Sequence, residues 1–389
     1  MEKNEWVDMI YKVSDNIISS LGFTSSENYS SVKKYKSGLS FYENMFDIPE
    51  PFVGSLLENE KINEAFSKIA TKSDIEYTKL EKTAILSVYD AVSEANIDPA
   101  DNSVLFIFST TKGNIELLEN NNKYEPERVY LWRSAQLIAE FFDNKNEAVV
   151  VSNACISGVA AQITAARYLN AGRYKYIIVI GAEVLSKFII SGFQSFKALS
   201  VEMCKPFDKN RTGLNLGEAA ATIIYSKAEQ ETDLHSGTII YENGAVCNDA
   251  NHISGPSRTA EGLFNAINIA MNGIDKETVS FINAHGTATP YNDDMESVAI
   301  GRHEMNDTPV NSLKPYFGHT LGAAGILETI ISAYALQEGI ILKSMGFEDL
   351  GVVSAVNINK DIIGSDKKRF LKLISGFGGS NAAIIMRKI

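Results

Sequence analysis

Two stretches of this chain follow one pattern, and a repeat at so long an interval restricts the available folds more than composition does. Cys155-Ile-Ser-Gly158-Val-Ala-Ala runs into the apolar, helix-like "QITAARYL", and His319-Thr-Leu-Gly322-Ala-Ala-Gly runs into "ILETIISAYAL". Each copy has a chemically capable residue, a glycine three positions on, small residues and then an apolar helix. The echo extends outward. "VLFIFSTTKG" precedes the first copy as "VSFINAHGTA" precedes the second, and "YIIVIGAEV" follows the first as "FLKLISGFG" follows the second. Such a period implies a duplicated unit whose matching strand-to-helix junctions face one another, with a site between the halves.

Short β-branched runs at 103–109, 148–152, 176–182, 278–284 and 370–376 alternate with Ala-rich helical patterns, which predicts α/β layers around largely buried sheets. A chain of 389 residues with 45% apolar content can bury a large core and exceeds the usual single-domain range. The polar stretch "AEQETDLHSG" at 228–237 marks the seam, giving halves at 1–231 and 232–389. A net charge of −12 disfavours general nucleic-acid binding. The three cysteines, Cys155, Cys204 and Cys247, form neither a disulfide framework nor a zinc spacing, which points to a reducing compartment. The N-terminal "MEKNEWVDMIYKVSDNIISS" lacks a basic stretch followed by an apolar core, and no apolar run is long enough to span a bilayer; the expectation is a soluble cytoplasmic protein.

The chemistry-bearing residues sit at strand ends. A thiol where a β-run feeds a helix meets unsatisfied N–H groups and the positive end of the helix dipole, which favours the thiolate and makes Cys155 a candidate nucleophile. A lone cysteine otherwise packs as a small hydrophobe. His285 follows a strand in a Gly/Thr/Pro turn, while Lys314 and His319 flank Pro315 and Gly318, with His319 at the echo position of Cys155. His235 and His303 lie in polar stretches and read as ordinary histidines. "ISGFGGSNAAIIM" is a Gly-rich turn able to bring backbone N–H groups to a ligand oxygen. "KPFDKNRTGLNLGEAAA" reads as a structural turn in which Asp208 and Arg211 pair.

Taken in order, "NACISG", "KPFDKNRTGLNLGEAAA", "NDANHISGPS", "NAHGTATPYNDDMES", "KPYFGHTLGAAGILE" and "ISGFGGSNA" resemble the elongating beta-ketoacyl-acyl-carrier-protein synthases, decarboxylating condensing enzymes of the thiolase-like superfamily. The resemblance covers nearly the whole chain. It implies a duplicated thiolase-like α/β fold layered α/β/α/β/α with two pseudo-symmetric halves. It also implies that Cys155 accepts an acyl chain as a thioester, that His285 and His319 hold the thioester carbonyl of a malonyl-carrier substrate and stabilise the enolate, and that Lys314 organises His319. The backbone of Cys155 and Phe377 would form an oxyanion hole, Phe377 and Gly378 would gate the site, and Glu328 and Asp249 would support it. No metal or organic cofactor is implied; substrates arrive on the phosphopantetheine of an acyl carrier protein.

Two features depart from that pattern. The loop "VEMC" between "FKALS" and "KPFD" is short, and Lys112 in "STTKGN" falls where the family usually has an apolar residue in the acyl pocket, near Phe193. Lys112 there is either buried at high cost or turned to solvent. A pocket lined by it would suit polar, aromatic-capped or unsaturated chains. The resemblance also implies carrier docking through Lys123, Arg128, Lys205 and Lys209, and a homodimer or a heterodimer with a ketosynthase-like subunit. Two rival readings are a non-catalytic partner of chain-length-factor type, which would lack the cysteine, and a CoA-dependent thiolase, which would use a second cysteine in place of the histidines.

Overall fold

The computed structural model describes residues 9–70, 75–119, 122–252 and 255–389; the opening of the N-terminal stretch and part of the "NDANHISGPS" block lie outside them. One mixed sheet of eleven strands dominates. In chain order these are β1 (Met9–Ile18), β2 (Val104–Ser109), β3 (Val149–Val151), β4 (Tyr176–Glu183), β5 (Ala219–Ala228), β6 (Ile239–Asn248), β7 (Val279–Asn283), β8 (Pro309–Asn311), β9 (Asn357–Ile358), β10 (Arg369–Gly376) and β11 (Ser380–Lys388). The predicted runs all became strands within a residue or two of their expected bounds.

The spatial order is β9-β8-β7-β10-β11-β6-β1-β5-β4-β2-β3. Read inward from β3 at one end, and from β8 beside the edge strand β9 at the other, it repeats. β3, β2 and β4 are mutually parallel and are followed by antiparallel β5 and β1. On the other side, β8, β7 and β10 are parallel and are followed by antiparallel β11 and β6. The two arrays join where β1 pairs with β6 at Ile10–Tyr241 and Tyr11–Ile240. The polar seam lies between β5 and β6, partly as a short turn at Glu231–Asp233.

Six helices complete the layers: α1 (Lys79–Ala95), α2 (Leu131–Phe141), α3 (Ser157–Asn170), α4 (Glu261–Ala270), α5 (Pro290–Arg302) and α6 (Ala324–Glu338). α1 and α2 cover the outer face of the first array and α4 that of the second, with α5 against α4; α3 and α6 lie between the arrays and touch strands of both. The central pair is apolar nearly all round, as burial on every side requires, whereas α2 carries a one-sided apolar stripe.

The backbones of the central helices approach very closely. A Cβ on Gly158 would stand 2.8 Å from the Gly322 carbonyl oxygen, and one on Gly325 would stand 2.5 Å from the Val159 nitrogen. The repeated small residues therefore let the two helices meet backbone to backbone. Gly325→Ala should push them apart and lower stability by about 1–3 kcal/mol, as overpacking of a tight core does, which urea denaturation against the parent chain would measure.

Candidate functional site

Each central helix starts beside a reactive side chain. After β3 the chain turns sharply through Ala154, which holds φ +45°, a conformation that costs a non-glycine residue about 1–3 kcal/mol. The turn is held by Ser157, whose hydroxyl donates to the Ala154 carbonyl at 2.6 Å and accepts from the Asn153 N–H at 2.7 Å. Cys155 is thereby placed just before α3, only 7% exposed. The counterpart in the other half is His319, before α6, whose backbone bridges Leu216.

Cys155 Sγ, a His285 ring nitrogen and a His319 ring nitrogen all lie within 4.8 Å of one another. The imidazoles meet edge to face, with centroids 5.0 Å apart. Both are buried, and among the described residues Nδ1 of His285 and both ring nitrogens of His319 have no hydrogen-bond partner. Burial holds both pKa values well below the usual histidine range, and the cations of Lys314 and Lys372 push the same way, with His319 adding to the effect on His285. Neutral imidazoles with open nitrogens can donate hydrogen bonds to a substrate oxygen.

The thiol departs from the sequence expectation. Burial pushes it up to about 11, outweighing Lys314, Lys112 and the Phe377 backbone N–H, which all favour the thiolate. Cys155 therefore rests as a thiol and needs a neighbour to take its proton. Gly376 lets the Phe377 turn close over it: a Cβ there would lie 3.0 Å from the Cys155 nitrogen. Phe377 packs against Phe193 and Phe196, with centroids 5.8 Å and 5.2 Å away, and Gly378 follows at φ +83°. Phe193, Phe196, Gly376 and Phe377 line a cavity of about 470 Å³ with Cys155, His285, His319, Thr287 and Asp249. A larger surface depression of about 820 Å³, between Ser19 and Lys61, contains none of them.

Behind the histidines lies a layer of buried carboxylates. Glu328 accepts from Lys314 on one oxygen and from Lys372 on the other, and all three side chains are excluded from solvent. Burial alone would raise the Glu328 pKa, but the two ammoniums outweigh it and hold it below the ordinary value. Glu296 accepts the backbone N–H groups of His285 and Gly286 at 2.7 Å each, and Asp293 accepts that of Thr287 at 3.0 Å. Asp249 accepts the N–H groups of Ser257 and Gly262, tying its loop to the start of α4. Sequence reasoning passed over Lys372, Glu296 and Asp293. A lysine in the middle of the apolar run "FLKLISG" was the signal for the first, and acids at the fourth and seventh positions of the helix after "HGTAT" for the others.

Several expectations need correction. Lys112 is exposed and absent from the cavity wall, although its charge still reaches Cys155. The turn at Gly113 carries it outward, so it gives no support to a polar acyl pocket. Arg128 is buried and cannot dock a carrier; it is bound to Glu81, which also closes the capping box of α1. Arg211 pairs with Asp294 at 2.9 Å, while the Asp208 carboxylate accepts the N–H groups of Asn210, Glu348 and Asp349. Lys205 is half-buried, and the exposed Lys123 and Lys209 are ion-paired with Glu76 and Asp349. The "VEMC" loop lies on the surface up to the buried Cys204. Among the described residues, no helix is long and apolar enough to cross a membrane.

Comparisons with known proteins agree with this geometry. A family model described as "Beta-ketoacyl synthase, N-terminal domain" matches residues 30–231, and "Beta-ketoacyl synthase, C-terminal domain" matches 238–348. The chain is 31% identical over 271 residues to "3-oxoacyl-[acyl-carrier-protein] synthase 2" of Coxiella burnetii, covering 64% of this chain and 63% of that protein. It is 32% identical over 256 residues to the protein of that name from Synechocystis, covering 60% of each. The chain thus spans about three fifths of the length of the curated relatives it matches. Among solved structures, "The ishigamide ketosynthase/chain length factor" superposes with a TM-score of 0.85 at 21% identity, covering 98% of this chain and 99% of that one. "Ketosynthase (ApeO) in Complex with its Chain Length Factor (ApeC)" from Xenorhabdus doucetiae gives 0.85 at 22% identity over the whole of both chains. The fold is accordingly the layered, thiolase-like one.

Glu328→Gln would leave two buried ammoniums without a counter-charge. A loss of about 3–5 kcal/mol in unfolding free energy is expected, readable from the denaturation midpoint.

Proposed function

The chain belongs to the beta-ketoacyl synthase family, and from that premise we propose that it catalyses decarboxylative condensation of an acyl thioester with a malonyl group borne on an acyl carrier protein. The observation that carries this reading is the buried trio of Cys155, His285 and His319, close enough to meet around one substrate group, with imidazole nitrogens that have no hydrogen-bond partner among the described residues. Cys155 attacks the incoming acyl thioester as its proton passes to the adjacent imidazole or to the departing carrier thiol. The acyl group remains on Sγ, and the Cys155 and Phe377 N–H groups steady the tetrahedral oxyanion. Malonyl thioester then enters with its carbonyl oxygen toward His285 and His319. Loss of CO₂ leaves an enolate whose charge the two N–H donors accept. Its carbon attacks the Cys155 thioester, forming the new C–C bond and releasing the thiolate.

Lys314 and Glu328 act through His319, and Asp249 shapes the mouth of the cavity. Phe193 lines the acyl side, with Phe377 and Gly378 as the gate. The carrier protein is the proposed partner; Lys205 is half-buried, and Lys123 and Lys209 would meet it only by exchanging Glu76 and Asp349 for carboxylates of the carrier. A second ketosynthase-like subunit, identical or not, completes the proposed assembly; two of the structural neighbours are described as ketosynthases with a chain length factor. The nucleophilic cysteine at the head of α3 favours an active chain over a non-catalytic one.

Intact-protein mass spectrometry after incubation with a panel of acyl-carriers should show an adduct that is absent from Cys155→Ala and discharged by malonyl-carrier. His319→Ala should still acylate but decarboxylate about 10²–10³-fold more slowly, as loss of an oxyanion donor does. Absence of any adduct with every acyl-carrier, with or without a partner subunit, would refute catalysis.

A further inference from the structure

Lys372 is fully buried and has no part in the mechanism above. It lies in mid-β10, in register with Asn283 of β7, two residues before His285. Its Nζ donates to Glu328 and, at 2.9 Å, to the Leu373 carbonyl. One carboxylate therefore holds two ammoniums in a region without solvent. A single Lys314–Glu328 pair would already be neutral, and filling the Lys372 site with an apolar side chain of similar length would avoid the desolvation of a third charge. The extra cation calls for an explanation other than stability.

We propose that Lys372 is a positioning residue whose surplus charge, shared through Glu328 with Lys314, keeps the imidazoles of His285 and His319 uncharged, so that both remain N–H donors toward the acidic end of the working range. The inference rests on the reading of those two histidines as the enolate-binding groups. The charged and titratable groups near the imidazoles are Cys155 within reach of both, Glu296 on the His285 backbone, Asp293 on that of Thr287, Lys314 and Lys372 with Glu328 between them, and Asp249 and His252 in the wall of the shared cavity. Burial is the largest influence on both imidazoles; Lys314 and Lys372 follow in the same direction. Lys372 is itself lowered by burial, against the pull of Glu328, whose carboxylate accepts from its Nζ. Glu296 is raised by burial to about 7, so its carboxylate does not fully cancel the surplus.

The sign follows directly. Removing a cation near an imidazole makes protonation easier, so its pKa rises and the acid limb of a reaction needing neutral imidazole moves to higher pH. The test titrates the ¹⁵N-histidine imidazoles of substrate-free wild type, Lys372→Met and Lys372→Gln between about pH 5 and pH 8, alongside malonyl-carrier decarboxylation over the same range. In wild type both midpoints should lie below the ordinary value of about 6.5. In either folded variant at least one midpoint should rise by about half a unit or more, a threefold change in proton affinity, and the acid limb should move with it. Histidine titrations identical in wild type and variants would overturn the proposal. So would a wild-type imidazole of the pair titrating at or above the ordinary value of about 6.5, a result that needs no folded variant. Midpoints that rise while the acid limb stays in place would uphold the hold of Lys372 on the imidazoles and overturn the functional reading of the histidines, so the two failures are distinct.

Discussion

The backbone contact between α3 and α6 governs the geometry of the whole interior. Gly158 and Gly325 let two apolar helices from different halves of the chain approach without side chains between them. Because each helix begins beside a reactive residue, their separation also determines how far Cys155 stands from His319. A wider crossing would move the thiol and the imidazole apart. The small residues thus fix the spacing of the candidate site without lining its cavity. The strained Ala154 turn serves the same end, turning Cys155 out of the sheet direction and into the cavity.

The electrostatics of the site follow from how dry it is. Burial raises the thiol and lowers both imidazoles, so each member of the trio rests neutral. The charges are held one layer back. Glu328 carries two ammoniums, and Glu296 and Asp293 hold the backbone of the His285 loop. Such networks are costly to desolvate and most damaging when half broken. In return they provide a fixed field and a loop whose N–H groups are already satisfied, leaving the imidazole nitrogens free for a ligand.

The repeat made much of this legible. Cys155 and His319 were matched by their place before a small-residue helix, and the flanking strands were matched by order; the sheet reproduces that correspondence strand for strand. Local residue patterns sufficed because strand alternation and helix burial are short-range signals repeated at both sites. The surface was much less readable. Arg128 was expected on a docking face and is buried against Glu81, because a lysine or arginine in a loop shows its charge but not the carboxylate that will meet it. Lys112 was left between the pocket and solvent, and of those two it takes the exposed one, beside a glycine in the left-handed region.

The sequence by itself therefore determined the alternation of strands and helices, the strand-to-helix junctions and which residues of the candidate site would meet, since each depends on periodicity or on residue type within a few positions. Only the tertiary structure decided the protonation states and the partners of the buried charges. Whether Cys155 is a thiol or a thiolate turns on burial, and the sharing of Glu328 by Lys314 and Lys372 joins a short helix, a long helix and a strand from separate parts of the chain. Desolvation and long-range pairing exist only once the halves have closed, and no local pattern encodes them.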